Sequence, residues 1–328
     1  MNRRTAVQNL IAAGAGSIFT RLLADNPRDD RPRKDPEDRP EEEKGEIYKI
    51  RSDVRLVLLD VSVKDSNGGF VTGLLKENFS VLENGRRQPI TVFDSGDVPV
   101  TVGILVDESL SMTRKRSEVL TAAETFVEES NRQDEVFVLN FNDRVVPGLP
   151  RDMLFSDDTQ ELRSALRRGV PEGKTALYDA VVSGLQQLEL GKRDKKALVV
   201  ISDGGDNASQ HKRREILDMV ESSIATIYAI GLFDPEDPDR DPGILRRLAQ
   251  ISGGESYFPD RPADMAPICR GIAKEIRTRY TIGYLPPSDK GAGSLRTVSV
   301  RVATPGHGRL FVHTRGSYRY DSAQAAKK

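Results

Sequence analysis

One stretch decides what this chain can fold into. Val100-Thr101-Val102-Gly103-Ile104-Leu105-Val106 is apolar and β-branched without alternation, and it ends abruptly in Asp107-Glu108-Ser109-Leu110-Ser111-Met112. A run of this kind suits a strand buried on both faces, the central position of a mostly parallel sheet. Its far end delivers one carboxylate and two hydroxyls to the rim where open α/β sheets hold their ligands. Oxygen donors at i, i+2 and i+4 suit a small, hard divalent cation. They also suit a plainer task, since Ser and Asp are the usual caps of a following helix. Within the triplet itself both uses stay open.

Two later stretches repeat the grammar. Leu198-Val199-Val200-Ile201-Ser202-Asp203-Gly204-Gly205-Asp206-Asn207 is again an apolar run, then an acid, then glycines. Between them, Gly173-Lys174-Thr175-Ala176-Leu177 puts a threonine at the mouth of a helix. The trio resembles the metal-ion-dependent adhesion site of von Willebrand factor type A domains, a motif of Asp-x-Ser-x-Ser, a distant Thr and a distant Asp. The match falls on Asp107, Ser109, Ser111, Thr175 and Asp203. Glu108 and Leu110 depart from the small or neutral residues frequent at the variable positions, and Lys174 stands where Gly is common. The resemblance implies that Ser109 and Ser111 bind an ion through their hydroxyls. Asp107, Thr175 and Asp203 would act directly or through water. Few direct carboxylates suit Mg²⁺, with Mn²⁺ or Ca²⁺ as alternatives.

Composition narrows the classes that remain. Lys and Arg number 49 against 50 Asp and Glu, a net charge of −1, so no global field points to nucleic acid or an anionic membrane. The single cysteine, Cys269, excludes an intramolecular disulfide and reads as a buried core thiol. His211, His307 and His313 fall in no motif and read as structural.

Residues 1–24 start with Arg3-Arg4, pass through a short apolar run from Leu10 to Phe19 and reach a small residue at Ala24. This resembles a cleaved secretory signal, with the paired arginines of the twin-arginine type. A secreted or periplasmic location, with no transmembrane segment in the mature chain, is therefore expected. Residues 25–46 are nearly all charged or Pro, a composition expected to stay disordered as a tether.

Order is expected from Ile47. Strands are predicted over 54–63, 79–83 and 89–93, the last two joined through Asn84-Gly85. Three strands are too few for a stable sandwich. Alternating runs at 279–285, 296–302 and 309–313 supply the rest. The fold class expected is α/β: a doubly wound, mostly parallel sheet over 98–278, inserted into a small antiparallel β-sandwich made by 47–97 and 279–320, with 321–328 as a disordered tail. This order of parts resembles a bacterial family of secreted von Willebrand factor A-related proteins, whose closing Tyr-x-x-Gly-Tyr falls here on Tyr280 to Tyr284. The acidic loop 233–241 misses the EF-hand pattern and reads as solvated.

The function expected is metal-dependent protein binding outside the cytoplasm, as adhesion or envelope scaffold, with a partner's Asp or Glu carboxylate completing the ion's shell. Two rivals stand beside it: an assembly or chaperone-like module for a partner enzyme, and a metal-dependent hydrolase with Asp206 or Glu108 as base. No His lies near either motif, and no phosphate-binding glycine loop is present. No enzymatic activity is expected. The resemblance also implies that metal occupancy moves the last helix, 262–277, against the alternative of a rigid scaffold.

Overall fold

A computed structural model describes residues 56–233, 238–287 and 294–320. The expected signal, tether and tail, the first residues after Ile47 and the centre of the acidic loop lie outside the described residues.

The first flank builds β1 (Val57–Lys64), β2 (Phe79–Glu83), β3 (Arg86–Gln88) and β4 (Ile90–Asp94). Asn84 (φ 47) and Gly85 (φ 77) both take positive φ, the requirement of a tight hairpin turn. The partner across that turn is β3, not the predicted 89–93 strand, and β4 crosses to the other sheet. Pro89 explains the difference. It lacks the amide a continuing strand needs, so the chain breaks there and changes sheets.

The middle begins with β5 (Val100–Asp107), α1 (Arg116–Glu128), β6 (Glu135–Phe141), β7 (Val145–Pro147), α2 (Thr159–Arg167) and α3 (Leu177–Leu190). It continues with β8 (Lys195–Ser202), α4 (Arg213–Ser222), β9 (Thr226–Gly231), α5 (Pro242–Ser252), β10 (Ser256–Tyr257) and α6 (Met265–Thr278). The sheet order is β10-β9-β8-β5-β6-β7, parallel except for the edge strand β7. β5 lies at its centre with every residue buried, as the unbroken apolar run requires. From β5 the chain winds one way to β6 and later returns to β8 on the other side. The order therefore reverses between β5 and β8, where doubly wound folds open a binding crevice. Helix limits follow local chemistry. Asp241 caps α5 through the Ile244 amide (3.0 Å), Pro242 opens it, and Gly253 (φ 84) ends it.

The second flank gives β11 (Tyr280–Tyr284), β12 (Ser294–Val302), β13 (Phe311–His313) and β14 (Ser317–Tyr320). Two antiparallel sheets result, β13-β1-β11-β4 and β14-β12-β2-β3, each using strands from both flanks. Leu59, Val61, Phe79, Val81, Tyr280 and Ile282 fill the space between them, in a hydrophobic cluster separate from that of the α/β part. That core also holds a paired charge. Arg296 donates to Glu83 Oε1 at 2.8 Å, and the Tyr284 and Tyr318 hydroxyls donate to Oε2 at 2.7 and 2.8 Å. Cys269 is buried, as expected. Among the described residues no helix is long and apolar enough to cross a membrane.

At the junction of the two parts, α6 is pinned to the sandwich. Arg279, just past its end, donates to Glu275 Oε1 (2.8 Å) and to the Gly253 carbonyl (2.8 Å), and to the Asp60 carbonyl of β1 (3.2 Å). Lys64, at the end of β1, pairs with Glu275 at 3.0 Å and with Glu255 at 2.6 Å.

Candidate metal centre

β5 ends on Asp107, and Asp203 follows directly on β8, so neighbouring strands carry two acids to the same crevice. Both side chains are only 2% exposed. Asp107 Oδ1 accepts the Ser109 amide (2.9 Å) and Oδ2 accepts the Ser202 hydroxyl (2.6 Å). Ser109 and Ser111 face each other, Oγ to Oγ, at 3.1 Å, and the Ser111 hydroxyl donates to Asp203 Oδ2. Asp203 Oδ1 accepts the Gly205 amide at 3.1 Å. Gly204 (φ +82) lies where a Cβ would come within 2.3 Å of the Asp241 carbonyl, so the glycine is needed for both angle and space.

The capping alternative is resolved by these bonds. Ser109 sits at the N-cap of a short 3₁₀ turn, Leu110–Lys115, yet its side chain caps nothing. Lys115 precedes α1 in the same way, also without a side-chain cap. Both serine hydroxyls are turned into the crevice.

Thr175 arrives from the irregular stretch before α3 and is buried. Its amide donates to Asn207 Oδ1 (2.9 Å), and its carbonyl accepts the amides of Asn207 and Ala208 (both 3.0 Å). Two residues earlier, the Gly173 carbonyl accepts the Leu110 amide at 3.3 Å. Thr175 is thus strapped between the loop of the serines and the loop that follows Asp203. All five sequence-predicted residues gather at one end of the sheet: four through a direct hydrogen-bond chain, and Thr175 through main-chain ties to the flanking loops.

The electrostatics are set by two acids buried side by side. Burial, and then the Asp203 carboxylate beside it, push the Asp107 carboxyl up to about 7, against opposing hydrogen bonds from Ser109 and Ser202. Among the described residues no group of three His, Cys, Asp or Glu side chains is placed to hold a metal ion. The donors are two carboxylates and three hydroxyls, an oxygen-only set that fits a hard dication of the Mg²⁺, Mn²⁺ or Ca²⁺ type.

The residues flagged as departures occupy distinct places. Leu110 is 64% exposed and Lys174 is exposed, so both border the crevice from outside. Glu108 is buried and paired with Arg116 Nε at 2.9 Å. Burial raises the Asp206 carboxyl, while hydrogen bonds from Ser209 and the Leu177 amide at the start of α3 oppose it. His211 lies half-exposed with Nδ1 2.7 Å from Asp179. Sequence reasoning missed Ser202, Asn207 and Arg116. Ser202 had a signal, a hydroxyl directly before the acid at a strand end. Asn207 and Arg116 had none at local range.

Residues 102–205 match the family model described as the von Willebrand factor type A domain. No curated protein matches the chain. Among solved structures the chain is similar to a von Willebrand factor type A protein from Catenulispora acidiphila, at 14% identity over 84% of this chain and 76% of that one, with a TM-score of 0.49. It is similar to the conserved hypothetical protein BatB from Bacteroides thetaiotaomicron, at 18% identity over 54% of this chain and 98% of that one, with a TM-score of 0.44. It is also similar to proximal thread matrix protein 1 of the mussel byssus with a zinc-occupied MIDAS motif, at 13% identity over 60% of this chain and 50% of that one, with a TM-score of 0.47.

Proposed function

We propose that this chain, which carries a von Willebrand factor type A domain over residues 102–205, binds a protein partner through a divalent cation, as an adhesion or envelope-scaffold module outside the cytoplasm. Asp107, Ser109, Ser111, Thr175 and Asp203 hold the ion, with Mg²⁺ the cation that best suits so few direct carboxylates. When bound, it supplies an open coordination position for a partner's Asp or Glu.

The observation that carries this reading is the buried pair of acids, Asp107 and Asp203, joined through the hydroxyls of Ser109 and Ser111. Burying a carboxylate costs several kcal/mol, on the order of the desolvation penalty of one ion. A bound dication would offset that cost, and without one burial favours the protonated form of Asp107. The chain's own groups do the rest. Ser202 and the Ser109 amide fix the Asp107 carboxylate, the Gly205 amide fixes Asp203, and the Asn207 strap fixes Thr175. Exposed Leu110 and Lys174 border the face a partner would meet. Hydrolysis finds less support, since Glu108 is engaged by Arg116 and Asp206 by Ser209.

Calorimetric titration of Mg²⁺ and Mn²⁺ into the wild type and Asp107→Ala tests the ion. A pull-down with and without chelator tests the bridge, and removal of residues 1–24 on export tests the location. Wild-type protein that takes up neither ion ends this reading.

A further inference from the structure

Glu108 is the one side chain of the Asp-x-Ser-x-Ser loop that is buried without belonging to the donor set. It is 2% exposed, and its carboxylate meets Arg116 and Gly169 in place of the serines. Arg116 Nε donates to Oε2 at 2.9 Å. The same guanidinium donates through Nη2 to the carbonyls of Gly169 (2.6 Å) and Arg167 (3.3 Å), at and just beyond the end of α2. Oε1 is buried with no hydrogen-bond partner, and a Cβ at position 169 would come within 2.2 Å of it. Gly169 does not take positive φ, so it is a glycine for room and not for angle. Main-chain bonds run beside this contact: the Glu172 amide to the Glu108 carbonyl (2.9 Å) and the Leu110 amide to the Gly173 carbonyl (3.3 Å).

Burying a second carboxylate in a loop that already holds Asp107 adds no stability that a small neutral residue would not supply more cheaply. What buried ion pairs do supply is register. The stretch in need of register is 168–176, which runs without regular structure from the end of α2 to the start of α3 and carries Thr175. On its far side Asn207 already holds it. We infer that Glu108 and Arg116 form a clasp that seats this stretch against the serine loop and so positions Thr175, and that Gly169 is required only to leave the Glu108 carboxylate its space. Glu108 is thus a positioning residue, not a ligand. The inference rests on the cation-binding reading above.

The test uses the full chain as wild type, Glu108→Ala, Gly169→Ala and the double variant. Two readouts are taken: amide hydrogen exchange over 169–176 without metal, and Mn²⁺ titration. Each single variant is expected to speed exchange in that stretch and to weaken Mn²⁺ binding about tenfold, the usual scale for groups that orient metal ligands. The double variant should be no weaker than Glu108→Ala, because the group that a Cβ at 169 strikes is then absent. Losses that simply add, or wild-type exchange and affinity in Glu108→Ala, overturn the clasp. If Glu108→Ala does not fold, Glu108→Gln and Gly169→Ala carry the test, and wild-type exchange in both overturns it. Wild type that binds no Mn²⁺ sinks the cation reading instead, while the exchange comparison still decides the clasp.

Discussion

Asp107 is where the chemistry of the site can be read most directly from solution behaviour. Its carboxyl is pushed up from 3.8 to about 7 by burial and by Asp203, so the folded protein holds that proton more tightly than the unfolded chain does. The stability this contributes is complete below about pH 4 and is lost as pH rises through about 7, a change on the order of a few kcal/mol. Metal-free wild type should therefore lose thermal stability relative to Asp107→Asn between pH 5 and 8, and saturating Mg²⁺ should abolish the difference. Parallel pH profiles for the two proteins would contradict this. Ser111→Ala addresses the ligand set itself. It removes the hydroxyl between Ser109 and Asp203 while leaving the buried Met112 in place. It should weaken Mg²⁺ binding about tenfold or more and shift the unfolding midpoint little, as calorimetry and thermal denaturation will report.

Among the elements, those that read clearly in the sequence carry their pattern within their own length. β5 is an unbroken apolar run because both its faces are covered, and β12 alternates because one face is. α5 has its cap, proline and terminal glycine all local. β3, β7 and β10 are two or three residues long and pair only because a neighbouring strand offers an edge, which no window of sequence records. β14 reads as polar, yet it turns Tyr318 and Tyr320 inward onto Glu83 and Arg296. The site divides the same way. Its five donors stand in recognisable local settings, whereas Ser202 meets Asp107 across 95 residues of chain and Arg116 acts through the end of α2. α6 has its own consequence. With Arg279 buried against Glu275 and the Gly253 and Asp60 carbonyls, Arg279→Met leaves Lys64 as the remaining cation on Glu275 and both carbonyls without this donor, and should cost about 1–3 kcal/mol in denaturant unfolding.

For the whole molecule, the decisive arrangement is that the chain leaves the sandwich on β4 and returns on β11, and these strands are paired neighbours with Asp94 opposite Thr281. The sandwich has a hydrophobic cluster of its own. Replacing residues 96–279 by a two-residue Asn-Gly turn, with position 95 in register with Tyr280, should therefore close an ordinary hairpin and leave an eight-stranded sandwich that unfolds cooperatively, measured by circular dichroism on heating. A product without a melting transition would show that the sandwich depends on the inserted part. The side-by-side exit also decides how a pull would travel. Tension applied at the crevice reaches the sandwich along two adjacent strands drawn in the same direction. It slides them lengthwise against β1 and strains their ladder bonds together, where a single exit at an edge would peel those bonds away one at a time.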